Sequence, residues 1–168
     1  MDLNQSANYK LDKSRNKNNR TTKFYLWCYR TLHSKGCALS KIFAKFSMSF
    51  IWKARGIEID AGSIGGGLRM SHLNGIFIHK NASLGENCTI FQQVTVGANE
   101  HNANRSSAPQ IGNKVYIGAG AKVIGDISIG DNVRIGANAV VTRSVPANMT
   151  VVGYNRMIER KADDTLFL

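Results

Sequence analysis

The stretch IGNKVYIGAGAKVIGDISIGDNVRIGANAVV, residues 111–141, decides the fold. Within it Ile117, Val123, Ile129, Ile135 and Val141 recur every six residues, which fits neither the period of about 3.6 of a helix nor the period of about 2 of a lone strand. Upstream, Ile78, Leu84, Ile90 and Val96 keep the same step. A second register, two residues earlier, is also small or apolar: Ala82, Cys88 and Val94, then Val115, Ala121, Ile127, Val133, Ala139 and Val145. Both registers are expected to point inward. Glycine follows the inward aliphatic residue in Leu84-Gly85, Val96-Gly97, Ile111-Gly112, Ile117-Gly118, Ile129-Gly130 and Ile135-Gly136. Short strands separated by tight turns explain this, because Gly and Asn tolerate the positive φ of such turns. Stacking one coil on the next buries an aliphatic column that no single repeat can bury alone. The expected fold class is all-β, a β-solenoid of hexapeptide repeats.

Outward from the repeats, the run 98–109 breaks the period with polar residues, among them Asn99, Glu100, His101, Asn102 and Arg105, and is expected to leave the coil as an excursion loop. Ahead of the repeats, residues 21–55 read as an amphipathic helical segment. Leu39, Ile42, Phe43, Phe46, Phe50 and Ile51 step at helical spacing with Lys41, Lys45 and Lys53 between them. Ser34, Lys35 and Gly36 mark the break from an earlier helix. Residues 1–20 hold scarcely any apolar side chains, too few to offset the entropy of ordering, and are expected to be a flexible basic arm. The domain plan is thus an arm (1–20), a helical segment (21–55), a solenoid (56–158) and a C-terminal tail (159–168).

The formal net charge of +11 is unevenly placed, since residues 1–56 hold 12 Lys or Arg against only Asp2 and Asp12. Basic groups beside aromatics suit either peripheral contact of residues 1–55 with an anionic membrane, at roughly 1 kcal/mol per basic residue near the surface, or packing of this segment against other copies of the chain. The same charge attracts any polyanion without reading sequence, so nucleic acid is not an expected partner. No run approaches the roughly 18 to 20 apolar residues of a membrane span. Cys28, Cys37 and Cys88 are odd in number and lack metal-ligand spacing, and no apolar leader precedes a cleavage site. A cytoplasmic location and no metal are expected.

Imidazole titrates near neutral pH, so a positioned His can take a proton from a hydroxyl and return it to a leaving group. His33 lies in the basic helical segment and His79 follows inward Ile78, and both read as surface residues. His72 sits in Met70-Ser71-His72-Leu73-Asn74-Gly75, a polar interruption that aliphatic packing alone does not favour. The series Gly56-Ile57-Glu58-Ile59, Ser71-His72, Gly75-Ile76-Phe77-Ile78, Gln93-Val94-Thr95-Val96-Gly97 and Ile117-Gly118-Ala119-Gly120-Ala121 resembles the serine acetyltransferase family over residues 56–158. That resemblance implies a left-handed parallel β-helix, although left-handed crossovers run against the general rule. It also implies a homotrimer with acetyl-CoA bound between neighbouring subunits. By the same resemblance His72 is the general base and Glu58 the carboxylate that orients it. Ala98, Ala119 and Ala137 take the positions that let backbone approach the pantetheine arm, and Arg143 and Arg156 are candidates for the CoA phosphates.

Two departures bear on the acceptor. The family carries Asp immediately before the catalytic His and a second His before the proline that ends the loop, where this chain has Ser71 and Ala108. The large helical N-terminal domain of the family, which contributes an acidic residue for the serine ammonium, is replaced by a short basic segment. The expected acceptor is therefore a sugar hydroxyl of a cell-surface polysaccharide or its precursor, contacted by Ser71, Asn74, His101 and Arg105, with serine O-acetylation as the alternative. A non-catalytic solenoid and a γ-carbonic-anhydrase-like zinc enzyme compete less well, the latter because no His-x4-His pair is present.

Overall fold

The computed structural model describes residues 3–35, 37–59, 63–99 and 107–159. Three helices, α1 (Leu3–Arg15), α2 (Arg20–Leu32) and α3 (Ala38–Arg55), precede a coil of short strands. The strands are β1 (Glu58–Ile59), β2 (Ser63–Ile64), β3 (Arg69–Met70), β4 (Phe77–Ile78), β5 (Ser83–Leu84), β6 (Thr89–Ile90), β7 (Thr95–Gly97), β8 (Gln110–Ile111), β9 (Tyr116–Ile117), β10 (Lys122–Ile124), β11 (Ser128–Ile129), β12 (Arg134–Ile135), β13 (Val140–Val141), β14 (Met149–Val152) and β15 (Arg156–Glu159). They stack into three sheets, ordered β1-β4-β7-β10-β13, β2-β5-β8-β11 and β3-β6-β9-β12-β14-β15. Every pairing between these strands is parallel except β14 with β15.

The parallel strands β1 to β14 turn aliphatic side chains inward, and these form the axial column. Ile78, Ile90, Val96, Ile117, Val123, Ile135 and Val141 are fully buried, as are Ala82, Cys88, Val94, Ala121, Val133 and Ala139 of the second register. Turning the chain through three sides demands left-handed backbone at the corners. Asn87, Lys114, Asn132 and Asn148 take φ of 58°, 55°, 59° and 64° on one edge of the prism. Their amides donate to the coil below, Asn132 to Asn113 O at 2.8 Å and Asn148 to Asp131 O at 3.0 Å. Asparagine accepts this conformation at lower cost than most residues, which accounts for its recurrence there.

The N-terminal residues depart from expectation. In place of a flexible arm, residues 3–15 form α1, docked on the first coil by polar contacts rather than apolar burial. Asn16 donates from Nδ2 to Leu68 O at 2.8 Å and accepts from Met70 N–H at 3.1 Å. That is the bonding pattern of an added strand, laid along β3 at the open edge of its sheet, where unpaired backbone groups need cover. The wholly buried Asp12 accepts from Leu68 N at 2.9 Å and pairs with buried Arg30 at 3.0 Å. Arg30 also donates to Ile64 O and to Gly65 O. Close approach depends on Gly66, where an added Cβ would stand 2.6 Å from Asn8 Oδ1.

The helix α3 is present but turned otherwise than its apolar spacing suggests. Ala44 is buried and Met48 and Ile51 pack on the core. Leu39, Ile42, Phe43, Phe46 and Phe50 face outward, between 55% and 76% exposed. Among the described residues no helix is long and apolar enough to cross a membrane.

Candidate active site

The fully buried Met70 ends β3, and the chain then bulges through Ser71–Gly75 before β4. Leu73, 3% exposed, anchors this tongue in the core. Its backbone is fixed by Ser71 N donating to Ile90 O at 3.2 Å, Asn74 N to His72 O at 3.1 Å and Gly75 N to Arg55 O at 2.9 Å. The left-handed φ of 62° at Gly75 completes the turn. His72 is consequently held at a rigid corner with its side chain in solvent. The same corner recurs in the coils above. Gln93 N donates to Asn74 O at 2.9 Å, Gly120 N to Gln92 O at 2.9 Å and Asn138 N to Ala119 O at 2.8 Å. His72, Asn74, Ala119 and Ala137 therefore lie along one edge of the prism. Ala98 and Arg143 occupy the next edge round, after β7 and β13, and Arg156 is exposed on β15.

Glu58 sits on β1, directly paired with Phe77. Its exposed carboxylate lines a cleft of about 210 Å³ with Tyr25, Met48 and Trp52. Among the described residues neither the His72 imidazole nor the Glu58 carboxylate makes a side-chain hydrogen bond or ion pair, so the two are not joined directly. His79 is half-buried and its Nδ1 accepts from Asn81 N at 3.2 Å, a local turn contact. His33 is exposed at the end of α2 and contacts Tyr29 O through Nδ1. His101 and Arg105 lie outside the described residues.

The imidazole opens into a groove of about 640 Å³ between the helical segment and the coil, whose walls include Arg15, Lys17, Asn19, Arg69, His72 and Phe91. The Arg15 guanidinium is committed to structure, donating to Gly67 O, to Cys88 O at 3.2 Å and to Thr89 Oγ1 at 3.1 Å. Asn19 caps α2 by accepting from Thr22 N at 2.9 Å and donates from Nδ2 to Ser71 O at 3.3 Å. This brings the positive end of the α2 dipole to the groove. Ser71 Oγ is buried without a partner. Among the described residues the groove walls carry no carboxylate.

Of the residues singled out from the sequence, the groove walls contain Ser71 and His72, and they add Arg15, Lys17, Asn19, Arg69 and Phe91, which the sequence did not single out. One signal was available: Asn19 stands just before the helical run at Arg20–Leu32, the pattern of an N-cap. Chemically, the site offers a solvent-facing imidazole able to exchange a proton with a bound hydroxyl and an electropositive wall to favour anions beside it. Among the described residues there is no group of three or more His, Cys, Asp or Glu that could hold a metal ion.

Comparison with known proteins gives a consistent answer. Residues 108–143 match the bacterial transferase hexapeptide family (six repeats). Serine acetyltransferase of Helicobacter pylori strain J99 is 40% identical over 129 residues, covering 76% of this chain and 75% of that protein. Serine acetyltransferase of Synechococcus elongatus is 46% identical over 99 residues, 58% of this chain, although the chain spans only 40% of that relative's length. The crystal structure of Neisseria gonorrhoeae serine acetyltransferase superposes with a TM-score of 0.76 at 28% identity, covering 95% of this chain and 66% of that one. The coil is accordingly a left-handed parallel β-helix. These likenesses overturn the expected sugar acceptor, because the similar proteins are named serine acetyltransferases.

Proposed function

The chain belongs to the serine acetyltransferase family, and from that premise we propose that it transfers the acetyl group of acetyl-CoA to the hydroxyl of serine with His72 as general base. The observation that carries the proposal is the placement of His72: a solvent-facing imidazole on a tongue pinned by buried Leu73, opening into an electropositive groove. In this reading the imidazole removes the hydroxyl proton as the oxygen forms its bond to the thioester carbonyl carbon. The carbon–sulfur bond then breaks, and the imidazolium returns the proton to the departing thiolate. Donors around the groove stabilise the negative charge that develops on the carbonyl oxygen.

We assign Glu58 to orient the imidazole once both substrates are bound, since catalytic hydrogen bonds often tighten only in the complex. Ala119 and Ala137, on the same edge as His72, suit the pantetheine arm because their small side chains leave backbone groups approachable. Ala98, Arg143 and Arg156 belong to the same reading as contacts of acetyl-CoA further round the prism. The active unit is a homotrimer in this proposal. The test is His72→Ala and His72→Asn, assayed by CoA thiol release with serine and acetyl-CoA. We expect a fall of about 10²- to 10⁴-fold with unchanged circular dichroism, in line with loss of a general base. A variant that turns over serine at the parent rate overturns the assignment.

A further inference from the structure

The groove beside His72 has an electrostatic character that the proposed transfer reaction does not by itself require. Its described walls bring three cationic side chains, Arg15, Lys17 and Arg69, together with the capped N-terminus of α2, and no acid. The acid nearest in sequence, Asp12, is wholly buried and neutralised by Arg30. Of the two arginines, Arg15 is spent on carbonyl oxygens of the coil. Arg69 is different. It is exposed, and among the described residues its guanidinium makes no hydrogen bond or ion pair. It lies on β3 next to fully buried Met70, so strand alternation turns its side chain outward on the groove side, two residues ahead of Ser71 and three ahead of His72. The guanidinium of Arg15 is held below its ordinary range by burial and next by the charge of Arg69, which fits two like charges crowded at one wall.

Like charges gathered without a counter-ion on a concave surface are relieved by an anion, and a guanidinium with free donors suits the two oxygens of a carboxylate. The neutral Ser71 beside the base offers no charge to an ammonium. We infer that Arg69 is the anchor for the acceptor's carboxylate, and that the site selects short hydroxy acids by that carboxylate and not by an ammonium group. The inference rests on the acyl-transfer reading and narrows its substrate class: 3-hydroxy carboxylates with or without an amino group.

The test uses the full chain and acetyl-CoA with three acceptors: serine, 3-hydroxypropanoate, which lacks the ammonium, and serinamide, which lacks the carboxylate. The expected kcat/KM for 3-hydroxypropanoate lies within about 10-fold of that for serine, and serinamide falls about 10- to 100-fold below it, the range of one charge-assisted contact. Arg69→Met is expected to raise KM for both acids by about the same factor, with a smaller change in kcat and an unchanged KM for acetyl-CoA, and Arg69→Lys to recover part of the loss. Serinamide turned over as well as serine, or rejection of 3-hydroxypropanoate, overturns the inference. A rise in KM for acetyl-CoA alone assigns the cation to a CoA phosphate and overturns it too. Should no acceptor be turned over, the transfer reading fails by itself. The carboxylate site is then read separately by titration calorimetry with 3-hydroxypropanoate, where binding that Arg69→Met abolishes supports it and absence of binding to the parent chain refutes it.

Discussion

At the scale of single residues, side chains of one type are set apart by burial. Cys28 and Cys88 are wholly buried and Cys37 is exposed at the start of α3. Burial pushes the Cys28 and Cys88 thiols from 9.0 up to about 11, since a thiolate inside the core has lost its water. Folding therefore favours the protonated thiols. Their contribution to stability is complete below pH 9.0 and is lost as pH rises toward about 11. A thiol reagent at pH 8 is expected to modify Cys37 alone in the folded chain and all three cysteines in denaturant, as counted by mass spectrometry. Rapid labelling of three thiols without denaturant would contradict the burial described. The sequence marked Cys88 as inward through the six-residue step, and His72 through its break in that step. Arg69 escaped notice because nothing local distinguishes an outward arginine that faces a groove from one that faces bulk water. The groove exists only once α1 and α2 have docked.

Among the elements, α1 shows why composition misled. A segment of Asn, Lys, Ser and Arg has little apolar surface to bury, yet α1 is ordered because its polar groups match the unpaired edge of the first coil. Asp12 and, just past the helix end, Asn16 bond backbone groups of Leu68 and Met70, and Thr22 and Arg30 of the neighbouring α2 bond Met70 O and Ile64 O. Burial raises the Asp12 carboxyl above its ordinary range against the pull of Arg30, so desolvation outweighs the pairing. The pair is better understood as fixing where α1 docks than as a source of net stability. Breaking it is a different matter, because Arg30 then remains buried without its counter-charge. Asp12→Asn is expected to lower unfolding free energy by about 3–5 kcal/mol, measured by urea denaturation, and an unshifted midpoint would show that the pair is dispensable. In α3 the periodicity of apolar residues gives the helix but not its facing. Ala44, Met48 and Ile51 form one apolar strip and Leu39, Ile42, Phe43, Phe46 and Phe50 another. A pattern apolar on both sides does not say which side meets the core.

For the whole molecule, the coil was legible because both inward registers follow from one repeated geometric demand, and buried residues fall where the step of six places them. The acceptor was not legible in the same way. Departures at Ser71 and Ala108 suggested a sugar, whereas a relative matched over three-quarters of its length is named a serine acetyltransferase. At the far end, β15 reverses direction and pairs antiparallel with β14, Val151 opposite Met157 and Thr150 opposite Ile158. Truncation after Gly153 removes that strand and leaves β14 with open donors and acceptors. Light scattering is expected to show concentration-dependent growth of large species, and a truncated chain of unchanged size at high concentration would rule this out.

The reversed strand at one end and Asn16 at the other behave like the two flanges of a spool. Nothing in the winding itself says when to stop, since each coil offers the next the surface it was itself laid upon. The height of the winding described here is thus bounded by its two terminators. A whole winding added or deleted between them changes the height of the spool while leaving both flanges seated.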